Sequence, residues 1–250
     1  MSRPTHVYIV ASPRPRTGKT TLARALIEFH AGDGRHITAF DLDEMDATLA
    51  QFLPALTERA EIGDTHGQVA LFERLIVADG TTKVVDVSAH AFDTFFRVMA
   101  EIDFAGEARR QSVAPVILFA ANPDRIAVKS YANLVGRLPD VTLAPVFGDW
   151  MMREWNLRAQ FPTTSALGLP LRIPMLSPRV RDTIDAKTFS FTEFRRGPWS
   201  RIPGLLKDEL NSWLSRVHLQ FREMELRLLL SQLSGSFRGQ IEPPMASALQ

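Results

Sequence analysis

The stretch VYIVASPRPRTGKTTLARAL, residues 7–26, decides the fold. Together with the preceding histidine, its opening residues form an apolar, β-branched run, His6–Ser12, that reads as a buried strand. Lys19–His30 has the composition and spacing of a helix. Between them stands a short turn holding Pro13, Pro15 and Gly18. A buried strand that turns tightly into a helix is the first half of a βαβ unit.

The same alternation continues outward from that unit. His36–Asp43, Lys83–Ser88, Ala114–Asn122 and Val141–Phe147 read as further strands, with a sixth over Leu169–Leu176. Helical patterns fill the intervals at Ala47–Arg59, Gly67–Ala78, Phe92–Phe104 and Arg125–Arg137. Short apolar strands separated by helices imply right-handed crossovers, hence an α/β fold with a mostly parallel sheet and helices on both faces. The pattern changes after about Ala186: residues 187–203 read as a basic, aromatic, irregular connection. Leu206, Leu210, Trp213, Val217, Phe221, Met224 and Leu228 then recur every three or four residues on a long C-terminal helix, residues 204–233. Such a stripe packs on its own domain or offers a face to a protein partner. Residues 234–250 read as a frayed tail. The expected division is therefore an α/β domain over 1–186, the connection, the helix and the tail.

Composition excludes several classes of function. The chain has 250 residues, a net charge of +1, 45% hydrophobic residues and no cysteine. Disulfides, thiolate metal sites and cysteine nucleophiles are therefore absent. His6, His30, His36, His66, His90 and His218 show no metal-ligand spacing, so a zinc site is not expected. No apolar run approaches the ~20 residues of a membrane span, and the opening residues run straight into a strand rather than a signal stretch. A soluble, cytoplasmic protein is expected.

The loop itself ends in Gly18-Lys19-Thr20, behind a strand and at a helix start, as in a P-loop NTPase-like domain. There, backbone N–H groups surround phosphates, the lysine reaches the β- and γ-phosphates, and the hydroxyl of Thr20 meets Mg²⁺. Thr21 is placed for the α-phosphate. The full glycine pattern fails at Pro13, and Pro13 and Pro15 each remove an N–H donor. Arg14 and Arg16 can replace those donors, since guanidinium groups bond phosphate directly. Downstream, Asp41 and Asp43 close the second strand and Asp86 closes the third. Carboxylates at the carboxyl ends of parallel strands face the ligand crevice, where they hold a metal or orient water.

These residues, RPRTGKTT, AFDLDEMD and VVDVS, resemble the deviant-Walker-A ATPases of the ParA/MinD group in the SIMIBI class. That group's loop reads K-G-G-x-G-K-[ST]. The stretches PVILFAANPDRIAVKSYANLV and LRIPMLSPRVRDTID are also similar, and the likeness spans about residues 6–186. The resemblance implies a slow Mg²⁺- and ATP-dependent ATPase that acts as a nucleotide-dependent switch in partitioning or positioning DNA or another cargo. It implies that Arg16, Thr17, Gly18, Lys19, Thr20 and Thr21 hold the nucleotide. Thr20, Asp86 and Asp41 would serve the metal, and Lys19, Asp43 and Arg14 catalysis. Arg14 takes the place of the signature lysine that reaches across a homodimer, and Pro15 and Arg16 replace the two glycines at that contact.

Two other readings stay open: a hydrolysis-impaired nucleotide-binding scaffold, favoured by the prolines, and an ATP-dependent ligase or kinase of the same fold. Between Leu171 and Arg201 lie seven basic residues (Arg172, Arg179, Arg181, Lys187, Arg195, Arg196 and Arg201) against three acids. Phe189, Phe191, Phe194 and Trp199 interleave with them. The patch reads either as a nonspecific DNA surface or as solvated cations beside packed aromatics.

Overall fold

Both faces of the first strand, β1 (Thr5–Ala11), are buried: Val7, Ile9 and Ala11 on one side, Tyr8 and Val10 on the other. That is the signature of a central strand covered by helices on both faces. The computed structural model describes residues 4–163, 170–186, 189–197 and 202–239. After β1 come α1 (Lys19–Gly32), β2 (Ile37–Asp41), α2 (Thr48–Phe52), β3 (Thr57–Arg59), α3 (Thr65–Leu75) and β4 (Thr82–Val87). Then follow α4 (Phe92–Glu101), α5 (Phe104–Arg110), β5 (Val113–Ala120), α6 (Arg125–Arg137), β6 (Thr142–Gly148), α7 (Asp149–Met152) and α8 (Trp155–Ala159). The chain closes with β7 (Leu171–Ile173), α9 (Pro178–Ile184), α10 (Phe191–Arg196) and α11 (Gly204–Gly239).

The strands form one sheet of order β3-β2-β4-β1-β5-β6-β7, and every pairing is parallel. The protein is thus an α/β fold with a parallel sheet between two helical layers. One core cluster joins Val7, Ile9 and Val85 to Phe72, Phe95 and Tyr131 from α3, α4 and α6. The other joins Tyr8, Val10 and Val84 to Leu26 of α1 and to Trp213, Val217 and Phe221 of α11. The strand order reverses beside β1, which has β4 on one side and β5 on the other. A crevice opens at the carboxyl ends of strands flanking such a switch point.

Several boundaries differ from the sequence expectation. The helix expected over Ala47–Arg59 is instead the single turn α2 followed by the edge strand β3. Three polar residues, Thr57-Glu58-Arg59, carry no periodic signal, and it is pairing with Ala39–Asp41 that makes them a strand. The helix expected over Phe92–Phe104 breaks at Asp103, whose side chain caps α5 through the Gly106 amide. The irregular connection contains α10, capped by Ser190. Strand β2 ends at Asp41, so Asp43 lies in the turn beyond it. Helix α11 runs to Gly239 rather than ending at residue 233; residues 240–250, the rest of the expected tail, lie outside the described residues.

The apolar stripe of α11 is used within the chain. Leu210, Trp213, Val217, Phe221, Met224 and Leu228 are all buried and Leu206 packs at their edge. Two charged residues of α1 fasten the segment that leads into α11. Arg24, 1% exposed, donates to the carbonyls of Ile184 (2.9 Å) and Phe189 (3.0 Å) and lies over the Phe52 ring. Glu28 accepts from the Ser190 hydroxyl (2.8 Å) and from the amides of Phe191 and Thr192, so it serves as a second cap for α10. Phe189, Phe191 and Phe194 are core residues, whereas Arg172, Arg179, Arg181, Arg195 and Arg196 are exposed. The aromatics therefore do not alternate with cations on one surface; Lys187, Trp199 and Arg201 lie outside the described residues.

Beside α11, His30 is fully buried, stacked on Tyr8, with its Nδ1 3.7 Å from Glu225, which Arg35 grips bidentately. Burial, then Arg35 and His6, push its pKa down to about 3 from 6.5. Between those values the unfolded chain binds a proton that the folded chain refuses, so this group makes stability fall as pH falls. The expected cost at pH 5 is about 2 kcal/mol, at about 1.4 kcal/mol per pH unit. Urea unfolding at pH 7 and pH 5 checks it: His30→Phe loses less stability between the two pH values than the parent chain. Equal losses would contradict the assignment.

Candidate functional site

At the carboxyl end of the central strands, Val10, Asp86 and Asp41 sit in register across β1, β4 and β2. Register partners on parallel strands point to the same face, here the face covered by α1. The sheet thus sets two carboxylates beneath the first turn of that helix. Asp41 is 2% exposed and Asp86 4%. Asp41 is held by backbone donors: its Oδ1 accepts from the Asp43 amide and its Oδ2 from the Ala50 amide, each at 3.0 Å. Asp43, in the next turn, has its Oδ1 fixed by the amides of Met45 and Asp46.

The loop above them keeps the backbone shape of a glycine-rich turn despite its substitutions. Gly18 is left-handed (φ 82°), and so is Arg16 (φ 58°). Holding a side chain there costs about 1–2 kcal/mol, the kind of strain that persists where surrounding structure dictates it. Gly18 gives α1 no side-chain cap. Lys19, Thr20 and Thr21 open the helix, the turn whose amides lack intrahelical acceptors and which favours an anion. Lys19 is buried, and its Nζ donates to the Arg14 carbonyl at 2.8 Å. Burial lowers the pKa of that ammonium, while Asp86 and then Asp43 act to raise it.

Asp86 is the most perturbed group of the site. Burial pushes its carboxyl up to about 7, against the opposing hydrogen bond from the Thr20 hydroxyl. Its Oδ1 has no hydrogen-bond partner among the described residues. An unpaired buried carboxylate oxygen is costly and marks a place where a ligand completes the arrangement.

Of the residues singled out from the sequence, Arg16, Lys19, Thr20, Asp41, Asp43 and Asp86 line one open cleft. Gly18 shapes its rim, while Thr17 and Thr21 are half-buried, with the Thr17 hydroxyl turned to the Arg14 carbonyl. Arg14 faces away. Its Nε donates to Asp124 Oδ2 at 2.8 Å and its Nη2 to the same oxygen, while Asp124 Oδ1 caps α6 through the amides of Ile126 and Ala127.

No protein-family model matches the chain, and a search of curated proteins gives no match either. Among solved structures it is similar to a nucleotide-binding protein from Archaeoglobus fulgidus in complex with ADP. The identity is 12% over 72% of this chain and 86% of that one, with a TM-score of 0.42. At that level the likeness carries no argument, and the site's own geometry must.

Sequence reasoning missed Ser88 and His90, which also line the cleft, and Asp124, which holds Arg14. Ser88 stands two residues beyond Asp86 and could have been found from that position; Asp124 is 110 residues from Arg14 and has no local signal. Asp124→Asn removes the charge that holds Arg14, and its one amide oxygen can still cap α6. Hydrogen exchange of the loop amides of Arg14, Arg16, Thr17 and Gly18 is expected to speed up severalfold, with the melting temperature within a few degrees of the parent; unchanged exchange would show that the pair does not order the loop.

Proposed function

We propose that the cleft binds a nucleoside triphosphate with Mg²⁺ and that the protein is a slow, ParA/MinD-like switch ATPase. The observation that carries this reading is the buried Lys19, at a helix N-terminus without a side-chain cap, sharing one cleft with Asp86, whose Oδ1 has no partner among the described residues. The cleft's charges fit a metal-bound triphosphate better than a bare one. Arg16 and Lys19 are its cations, against Asp41, Asp43, Asp46 and Asp86. Among the described residues no three His, Asp or Glu side chains are arranged to hold a metal alone. Thr20 and Asp86 offer hard oxygen donors, which suit a magnesium ion that phosphate oxygens and waters complete.

When bound, the ion supplies positive charge against the phosphoryl oxygens. The chain's own residues do the rest. Lys19 leaves the Arg14 carbonyl for the phosphates, and the α1 amides and Arg16 offer donors to the remaining oxygens. Thr20 and Asp86 would hold the metal, Asp41 fixes the turn that presents Asp43, and Asp43 would orient the attacking water. ATP is taken as the nucleotide from the family resemblance alone. Because Asp86 must be ionised to serve the metal, magnesium-dependent nucleotide affinity is expected to rise with pH through about 7. A flat profile between pH 6 and 8, or one that Asp86→Asn does not abolish, would contradict that role.

Turnover tests the catalytic half. Phosphate release in Mg²⁺ and ATP is expected to be slow, and Asp43→Ala is expected to lower it at least about tenfold while leaving nucleotide affinity within about threefold. The engagement of Arg14 by Asp124 favours a second reading, a nucleotide-bound scaffold with impaired hydrolysis. Binding without phosphate release above that of Asp43→Ala would select it.

A further inference from the structure

Helix α11 carries a second apolar stripe, on the side away from the core. Leu219, Leu226, Leu230 and Leu233 are 62%, 56%, 53% and 48% exposed. At about 100° of turn per residue they fall within about 60° of one another, roughly opposite the buried run of Val217, Phe221, Met224 and Leu228. A single exposed leucine is ordinary, but four in line over about 21 Å make a continuous patch. They follow one another at intervals of seven, four and three residues. That is the spacing of a coiled-coil seam, in which each side chain enters a hole on a facing helix.

The charges beside the stripe decide what can face it. Glu223 and Arg227, one turn apart, form an ion pair along one flank. Arg222 stands exposed on the other flank. Were two α11 helices to pair in parallel, each flank would face the opposite flank of the second helix. Arg227 would then meet Arg222, and Glu223 would meet Glu223, all like charges. In an antiparallel pair related by a two-fold axis, each flank faces itself. With the axis between residues 224 and 225, Leu219 of one helix comes level with Leu230 of the other. Glu223 comes level, to within one residue, with Arg227 of the other, so the ion pairs close between copies as well as within them. The four leucines offer roughly 400 Å², about half of the ~800 Å² each partner gives to a standard interface. Such an association is concentration-dependent rather than obligate.

We infer that two copies of this chain associate through the outer face of α11, as an antiparallel helix pair seamed by Leu219, Leu226, Leu230 and Leu233. A lipid surface accounts for less of the pattern. It asks for an apolar face rimmed by cations, but not for seven-residue spacing, and Glu223 at the stripe's edge opposes an anionic membrane. The contact uses none of the residues that line the nucleotide cleft. It therefore stands whether or not that cleft binds nucleotide.

The test is sedimentation equilibrium of the full chain between about 1 and 200 µM, without nucleotide, so that the cleft plays no part. A reversible monomer–dimer equilibrium is expected. Leu226→Glu is expected to weaken the dimer at least about tenfold, since it sets a carboxylate in the seam beside Glu223 of the second copy. Leu226 is exposed, so that variant keeps the melting temperature of the dilute parent. Glu223→Arg is expected to weaken the dimer at least about threefold, and the exchange Glu223→Arg/Arg227→Glu to restore it. A chain that stays monomeric throughout overturns the inference. Sedimentation with phosphatidylcholine–phosphatidylglycerol vesicles then shows whether the stripe meets lipid instead: capture of the monomer that Leu226→Glu abolishes would assign it to a membrane. A dimer that Leu226→Glu leaves unchanged, or one that the charge exchange fails to restore, overturns the inference equally.

Discussion

Lys19→Ala is expected to weaken binding of magnesium-ATP at least about thirtyfold, the equivalent of about 2 kcal/mol for charge-assisted contacts to phosphate. The side chain is almost fully enclosed, and its ammonium is already bonded within the loop, to the Arg14 carbonyl. It is therefore preorganised at the helix start and gives up one acceptor to gain several charged ones. Asp86 and then Asp43 are the charges that support its protonation against burial. Without it a triphosphate meets four aspartates and only Arg16 among the lining cations. Lys19→Arg keeps the charge but not the compact ammonium, and is expected to recover only part of the loss. Fluorescent-nucleotide titration measures all three proteins. Parent affinity in Lys19→Ala would remove the loop from the site.

Trp213→Ala is expected to destabilise the fold by about 3–5 kcal/mol, the range for deleting a large buried aromatic side chain. Trp213 is 2% exposed, stacks on Phe191, and donates from Nε1 to the Pro174 carbonyl at 2.7 Å. Its loss opens a cavity beneath α11 and strips a buried carbonyl of its donor. Trp213→Phe separates the two effects: most of the packing returns while the carbonyl stays unpaired, leaving a deficit of about 1–3 kcal/mol. Urea unfolding followed by circular dichroism provides both values. A loss below about 1 kcal/mol in Trp213→Ala would mean that α11 is not part of the cooperative core.

What could be read from the sequence was what local pattern determines. Helix α6 was legible to its ends, Arg125–Arg137, because Asp124 precedes it as a cap and Arg137 ends its periodic run. The six cleft residues were legible because strand ends and a helix start fix their positions, whatever lies between. Contacts between distant segments were not. Nothing in the residues around Arg24 and Glu28 marks them out, yet both are buried and hold the 184–192 segment. Edge strand β3 exists because β2 offers it unpaired backbone groups, a cause outside its own three residues. Arg14 read as a cation replacing the donors lost to the prolines; its contact with a carboxylate far along the chain, Asp124, had no signal there. In each case the partner comes from another element, outside what the local residues show.

The most direct measurement is isothermal calorimetry of the full chain with ATP and with GTP, each in magnesium. One nucleotide bound per chain, with heat lost when magnesium is chelated, is the expected result. An absence of heat with both nucleotides at millimolar concentration would contradict the account at its root, leaving Lys19 with no phosphate to meet and Asp86 with no metal to serve.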